Sequence, residues 1–162
     1  MRNSKIELFS FVFLVLALSS FAQNKEVRVD LSNPRAAVYT HLYFLQKDSY
    51  KPWKSAKTIY SLKGKKAEDC AIKLKQIFDG KGLRVDISQI PVDKNYLDTI
   101  NGIDTKNRYV IFPNQLPEIY VEKINNSWYY SSETVAHVDL LYNQVYPTGT
   151  EQLKTVIPKF GY

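Results

Sequence analysis

The apolar positions of this chain follow a helical period in its first half and a two-residue period after residue 108, with one more helical stretch later. The first helix is predicted over about 34–47, where three apolar side chains recur at helical spacing: Val38, Leu42 and Leu45. Ser32 or Asn33 can cap its free N–H groups, and Pro34 suits its first turn because no N–H is needed there. We expect a central helix around which the other elements pack, so that Leu42→Ala should cost about 2–5 kcal/mol.

Two further helices are predicted before residue 80. A short amphipathic helix begins at Pro52, with an apolar face made of Trp53, Ala56, Ile59 and Tyr60. A longer helix has one continuous apolar stripe: Ala67, Cys70, Ala71, Leu74, Ile77 and Phe78. Gly80, followed by Lys81-Gly82, ends this helix with residues that accept the positive φ common after a helix. Beyond it, 83–91 is either extended or a short helix, and 93–100 is a helical turn or two with Asp93 as its cap.

The second half of the chain predicts a small antiparallel sheet. The run 108–112 is β-branched and aromatic, which is typical of a strand, and 118–130 has the pattern of a hairpin with Asn125-Asn126 at its tight turn. Ser131-Ser132 then caps a helix whose apolar residues are Val135, Val138, Leu141, Tyr142 and Val145. The predicted fold class is therefore α+β: an N-terminal helical part packed with a small antiparallel β-sheet and a closing C-terminal helix.

The N-terminus has the three parts of a secretory signal peptide. Arg2 and Lys5 precede an apolar run over 8–18, and Ser20-Phe21-Ala22 ends the run with small residues. The run is shorter than the roughly 20 residues that span a bilayer, which favours a cleaved leader over an anchor. We expect three parts: a signal peptide (1–22), an extracytoplasmic α+β domain (23–147), and a tail or linker toward a missing membrane segment (148–162).

Lysine dominates the charge of the chain. The net charge is +6, and the leader carries +1 of it, so about +5 remains on the exported part. Seven lysines lie within 47–66, where Asp48 is the only acid: Lys47, Lys51, Lys54, Lys57, Lys63, Lys65 and Lys66. The stretch is either a solvated face, which its lack of arginine favours, or a surface for anionic lipid headgroups or cell-wall polymers. Nucleic acid is not an expected partner of an exported chain.

The sequence carries no recognisable catalytic motif, and we assign no catalytic, cofactor-binding or metal-binding residue. His41 and His137 are the only histidines, and no local cluster of His, Cys, Asp or Glu accompanies either of them, so a metal site is not expected. Cys70, the single cysteine, lies on the apolar stripe of a predicted helix, where a small inert side chain is expected. Four aspartates are predicted to be cap or turn residues: Asp86, Asp93, Asp98 and Asp104.

Four segments carry a family likeness: DLSNPRAAVYTHLYFLQ at 30–46, AIKLKQIFDGKGL at 71–83, YVIFP with LPEIY at 109–113 and 116–120, and WYYSSETV at 128–135. Together they resemble the extracytoplasmic N-terminal region of small-conductance mechanosensitive ion channels of Bacteroidetes-type bacteria. The segments follow one another in the same order, and the likeness covers nearly all of residues 28–161.

The resemblance implies a longer protein, in which transmembrane helices and a cytoplasmic vestibule follow this region. We therefore expect a fragment of a homo-oligomeric channel that meets the membrane through the missing part, on the periplasmic side of the bacterial inner membrane. The expected role is non-enzymatic, in assembly or envelope contact, and no pore residue can be carried over.

Two other classes of function stay open. The first is a secreted or periplasmic ligand-binding module with an apolar pocket between the hairpin and the first helix. The second is a hydrolase of unknown substrate, which would need convergent carboxylates or a buried pair of histidines.

Overall fold

A computed structural model describes residues 26–99 and 106–147, and within them the α+β prediction is confirmed. The helices are α1 (Pro34–Tyr43), α2 (Pro52–Ser55), α3 (Gly64–Gly80) and α4 (Ser132–Val145), and the strands are β1 (Arg108–Phe112), β2 (Leu116–Ile124) and β3 (Ser127–Tyr130). Short 3-10 turns lie at Lys47–Ser49, Ala56–Thr58 and Ile87–Gln89. The expected signal peptide, the aspartate at 104 and the expected tail lie outside the described residues.

The first helix begins as predicted and ends earlier, at Tyr43. Asn33 is its cap, because the Asn33 side-chain oxygen accepts a hydrogen bond from the N–H of Ala36 at 2.9 Å. The chain leaves the helix at Phe44, and Phe44 and Leu45 are both buried.

The central position of α1 is confirmed, but Leu42 is not its most buried residue. Ala37, Val38 and His41 are fully buried, whereas Leu42 is only partly buried against the core. Leu42→Ala therefore leaves a smaller cavity than the sequence predicts, and its cost should fall below about 2 kcal/mol.

The predicted apolar face of the second helix is wrong in two of its large residues. Trp53 and Tyr60 are 54% and 44% exposed. The buried side of this segment consists of Ser55, Thr58 and Ile59. Its orientation is set by the sheet, because Ile59 forms a bridge with Tyr130 and the Tyr60 N–H donates to the Tyr130 carbonyl at 3.3 Å. The segment thus covers the outer edge of β3 and leaves its two largest aromatic rings toward solvent.

The apolar stripe of α3 is confirmed, since all six of its predicted residues are buried. The helix also ends at Gly80, as predicted. The positive φ of 68° occurs at Gly82, while Gly80 is the last helical residue and lies against the end of α4. A Cβ atom at Gly80 would come within 2.3 Å of Val145 Cγ1 and 2.7 Å of the Tyr146 hydroxyl oxygen. The glycine is therefore required by the close approach of the two helices.

We expect Gly80→Ala to lower the free energy of unfolding by about 1–3 kcal/mol, because Val145 is β-branched and cannot easily move aside. The better helix propensity of alanine would return less than about 1 kcal/mol. Urea unfolding monitored by circular dichroism measures the difference. Lys66→Ala, at an exposed position of the same helix, is the matched control and should change stability by less than about 0.5 kcal/mol. A Gly80→Ala protein as stable as this control would contradict the close approach.

The prediction of a helical turn at 93–100 is wrong for its described part, 93–99, which has no helix. Its backbone carbonyls are used by side chains of other elements instead. The Trp128 Nε1–H donates to the Lys94 carbonyl at 3.1 Å, and the Asn107 side-chain amide donates to the Tyr96 carbonyl at 2.9 Å. Asp93 caps only a turn, by accepting from the N–H of Asn95. The preceding segment, left open by the sequence, is irregular with a short 3-10 turn at Ile87–Gln89.

The sheet has the order β1-β2-β3, with both pairs antiparallel, as the hairpin pattern predicts. Asn125 and Asn126 have φ values of 48° and 68°, the left-handed conformations that a two-residue hairpin turn needs. Val121 pairs with Tyr130 across the hairpin, and both are fully buried. This pair lies on the sheet face that packs against the helices.

The closing helix α4 is confirmed and is attached to the sheet by one buried hydroxyl. Ser131 caps it, by accepting from the Thr134 N–H at 2.9 Å. The Thr134 hydroxyl in turn accepts from the Tyr120 N–H at 3.0 Å and donates to the Glu118 carbonyl at 2.8 Å.

Across the described ranges, no helix combines the length and the apolar composition needed to cross a bilayer.

Candidate functional site

The most distinctive polar group of the interior is the imidazole of His41, which is 0% exposed. It belongs to α1 and bonds to two other elements. Its Nδ1 lies 2.8 Å from the Tyr130 hydroxyl of β3, and its Nε2 lies 2.8 Å from the Ala71 carbonyl of α3. The backbone carbonyl of His41 also accepts from the Ser55 hydroxyl at 3.0 Å. One residue thus ties α1 to α2, α3 and the sheet.

The partners of His41 define its tautomer. A carbonyl oxygen can only accept, so Nε2 carries the proton and donates to Ala71. Nδ1 is then the acceptor, and the Tyr130 hydroxyl donates to it. Burial lowers the pKa of His41 to about 4, despite the opposing effect of its hydrogen bond to Ala71. Burial also raises the pKa of Tyr130, so both groups are neutral at pH 7.

His41 should make the fold sensitive to acid. Its pKa is about 4 in the folded chain against 6.5 as the ordinary value, so the unfolded chain binds more protons between these two pH values. The contribution of neutral His41 is therefore fully present above pH 6.5 and is lost as the pH falls to 4, by about 3 kcal/mol in total. Urea unfolding across this pH range measures the loss. His137→Ala should keep the same dependence, and a stability that stays constant between the two pH values would contradict a neutral, buried His41.

His137 and Cys70, the other side chains that could have a chemical role, also have structural roles within their own helices. The His137 Nδ1 donates to the Glu133 carbonyl one turn earlier in α4, at 2.8 Å. Cys70 is buried on α3, as the stripe predicts, and burial raises the pKa of its thiol to about 12. A thiol with such a pKa carries almost no thiolate at neutral pH and is a poor nucleophile. Within residues 26–99 and 106–147, no three His, Cys, Asp or Glu side chains are grouped so that they could hold a metal ion.

The described aspartates have separate roles. Asp86 accepts from the Ser88 N–H at 2.9 Å and from its hydroxyl at 2.6 Å, as expected of a turn residue. Asp98 was predicted to be a cap or turn residue, and the structure shows it buried, 4% exposed, in an ion pair with Arg108 at 3.2 Å. It joins the loop before the sheet to β1.

The lysine-rich stretch is partly neutralised by three acids that lie outside it in sequence. Lys51 and Lys54 both contact Glu26, at 3.0 and 2.8 Å, and these contacts lower the pKa of the Glu26 carboxyl to about 2. Lys65 contacts Glu68 and Asp69 on the first turns of α3. Four of the seven lysines have no ion pair with a described residue: Lys47, Lys57, Lys63 and Lys66. Positive charge therefore remains on this side of the molecule.

A shallow groove of about 320 Å³ lies beside the end of α1, lined by Glu26, Val27, Tyr43, Phe44, Asp48, Ser49 and Lys51. Two of its lining residues are aromatic, Tyr43 and Phe44, and their rings meet edge-on with centroids 5.1 Å apart. The Tyr43 ring also stacks on Tyr39, outside the groove, at 5.4 Å. The Lys54 ammonium lies 5.0 Å from the centre of the Phe44 ring. Aromatic rings with flanking charges can bind a polar ligand that has an apolar face.

A second surface, the 53–60 face, consists of Trp53, Lys57 and Tyr60. All three are exposed: Trp53 and Lys57 lie one helical turn apart, and Tyr60 follows directly after Ile59, where the segment meets β3. The Tyr60 ring contacts the Tyr129 ring of β3, with centroids 5.7 Å apart. This surface is held in place by the backbone contact of the segment with β3 described above.

Comparisons of the chain with protein-family models, curated proteins and solved structures found no match. The chemistry of the molecule is therefore inferred from its own geometry. The sequence assigned His41 no metal-binding or catalytic role, and it did not predict Tyr130 as its partner. It also missed Glu26 as the acid that faces the lysines.

Proposed function

We propose that this chain is a non-enzymatic, extracytoplasmic domain of a membrane channel of the small-conductance mechanosensitive type, on the periplasmic side of the bacterial inner membrane. In this proposal the domain acts by contact, in channel assembly or against the envelope. The full-length protein is a homo-oligomer that meets the membrane through segments outside this chain.

The observation that carries the proposal is where the segments of family likeness lie in the fold. The stretch 30–46 contains α1, 71–83 contains most of α3, and 128–135 joins β3 to α4. The stretches 109–113 and 116–120 belong to the β1–β2 pair. The likeness thus falls on the elements that build the core, and it is consistent with a whole folded domain of this kind.

The distribution of polar groups supports a role in contact. His41, Tyr130 and Thr134 are buried and bonded to backbone or to one another, so they hold elements together. On the α1–α2 side the accessible groups include aromatic rings and lysines. Such groups bind surfaces and ligands without chemical conversion.

Two experiments test the proposal. The coding sequence should continue in frame into segments of spanning length, and a stop codon directly after Tyr162 would contradict it. The topology can be tested in the full-length protein by labelling Lys81→Cys with a maleimide that does not cross membranes, in a Cys70→Ser background. Lys81 is exposed beyond the end of α3, so it should react in intact spheroplasts. Labelling only after the membrane is permeabilised would place the domain on the cytoplasmic side and contradict the proposal.

The groove beside Phe44 favours a second candidate, a ligand-binding module. It is not the pocket expected between the hairpin and α1, because His41 and Tyr130 are in direct contact there, with ring centroids 4.9 Å apart. A ligand of the groove should raise the melting temperature of residues 23–162. Envelope glycans and lipids are the compounds to screen, with a Tyr43→Ala variant as the control. The absence of any shift would count against this candidate.

A further inference from the structure

We propose that the 53–60 face is a docking site for an anionic lipid surface. Trp53 and Tyr60 are its apolar anchors, and Lys57 with the neighbouring unpaired lysines supplies the charge. Tryptophan and tyrosine prefer the boundary between lipid headgroups and acyl chains, because one end of each ring system is apolar and the other is polar. Lysine adds attraction to anionic headgroups while its stem lies along the apolar surface.

Trp53 and Tyr60 are exposed because the contact of their segment with β3 turns them away from the core. A large ring left more than 40% accessible forgoes burial that the core could supply. The same segment buries Ser55 and Thr58 instead, both of them 0% exposed and hydrogen-bonded. The backbone contact with β3 fixes this orientation, so the rings are presented by a rigid support.

The charge around the 53–60 face is positive. The stretch 47–66 holds seven lysines and one acid, and Glu26 and the start of α3 neutralise three of these lysines. Lys57 lies between Trp53 and Tyr60, and Lys63 and Lys66 follow within ten residues. Charge complementarity therefore points to an anionic partner.

The groups on and around the 53–60 face favour a lipid surface over an anionic glycan. Sugar sites place carboxylate or amide groups beside a ring so that they can bond to hydroxyls. Two carboxylates border the 53–60 face, and both already have neighbours: Glu26 is bonded to Lys54, and Glu122 pairs with Tyr129 across the β2–β3 ladder. The 53–60 face itself carries only rings and an ammonium. This composition favours an interface of headgroups and acyl chains.

The test uses purified residues 23–162 and two kinds of vesicle: phosphatidylglycerol mixed with phosphatidylethanolamine, and pure phosphatidylcholine. The chain should sediment with the anionic vesicles at low salt and be released at high salt. Its tryptophan emission should shift to shorter wavelength on binding. The chain has two tryptophans, and Trp128 is already fully buried, so the shift reports Trp53.

Three variants locate the binding. Lys57→Glu should lower the partition coefficient roughly fivefold or more, and Trp53→Ala should weaken binding and abolish the spectral shift. Lys81→Glu changes the net charge by the same amount at the far end of α3, roughly 24 Å along the helix axis, and should reduce binding less than twofold. Each variant is first checked for an unchanged melting temperature.

Four results would overturn the inference: no sedimentation with anionic vesicles, equal binding to neutral vesicles, equal losses in Lys57→Glu and Lys81→Glu, or binding to purified cell-wall polymer without binding to vesicles. The inference rests on the fold and not on the proposed channel, so a failure of one leaves the other intact. If residues 23–162 do not bind vesicles and the full-length protein is a channel, only the docking surface is refuted.

Discussion

His41→Ala should lower the free energy of unfolding by about 3–5 kcal/mol, one of the two largest effects expected of any single substitution in this chain. The imidazole is fully buried, so its removal leaves a cavity among α1, α3 and β3. It also leaves the Tyr130 hydroxyl without its acceptor in a place that water does not reach, whereas the Ala71 carbonyl keeps its bond within α3. The cavity and the unsatisfied hydroxyl add to one another, which makes the loss larger than for an apolar residue of similar size.

Urea unfolding at neutral pH, followed by circular dichroism, measures this effect. His137→Ala is the matched control, since that imidazole bonds only to the carbonyl of Glu133 within its own helix and is partly exposed. The control should lose less than about 0.5 kcal/mol. A His41→Ala protein as stable as His137→Ala would show that α1 is not held through its histidine.

Trp128→Ala should cost about 3–5 kcal/mol for a different reason, the loss of the largest side chain in the core. Trp128 is 0% exposed on β3, and its indole N–H donates to the Lys94 carbonyl at 3.1 Å. Its backbone N–H donates to the Leu31 carbonyl at 2.8 Å and is unaffected by the change. Truncation therefore opens a cavity and frees the loop before the sheet, while the strand keeps its own hydrogen bond.

Trp53→Ala is the control for this prediction, because it removes the same side chain from a position that is 54% exposed. It should change stability by less than about 0.5 kcal/mol. Comparing the two variants by thermal unfolding separates the effect of losing a buried tryptophan from the effect of losing an exposed one. If both cost the same, Trp128 is not the core residue that its burial indicates.

The local elements of this fold were predictable because each depends on short-range signals. Asn33 and Pro34 mark the start of α1, the six-residue apolar stripe defines α3, and the Asn125-Asn126 pair has the left-handed backbone of a hairpin turn. Ser131 caps α4 for the same reason. These signals act within a few residues, so a single sequence contains them in full.

The misplaced elements are those in which contacts distant in sequence override the local pattern. Trp53 and Tyr60 have helical spacing suited to a buried face, yet the bond of Tyr60 to Tyr130 in β3 turns that face outward. The stretch after Asp93 has a helical pattern, but its carbonyls accept from Trp128 and Asn107, which lie on or beside the sheet. Nothing within these segments signals either partner.

The polar centre was invisible for the same reason. His41 and Tyr130 are 89 positions apart, and neither belongs to a recognisable motif. The lysine-rich stretch was evident from composition, whereas the pairing of Lys51 and Lys54 with Glu26 depends on how the chain before α1 folds back. Only the folded arrangement shows which lysines keep their charge available.

The central claim is that His41 is a neutral, structural group which joins α1, α3 and the sheet. Nitrogen NMR of its imidazole ring during a pH titration tests this most directly. We expect a proton on Nε2 and none on Nδ1 above pH 6.5, with the same tautomer retained as the pH is lowered toward 4. Titration of His41 near pH 6.5, or a proton on Nδ1 at neutral pH, would contradict it.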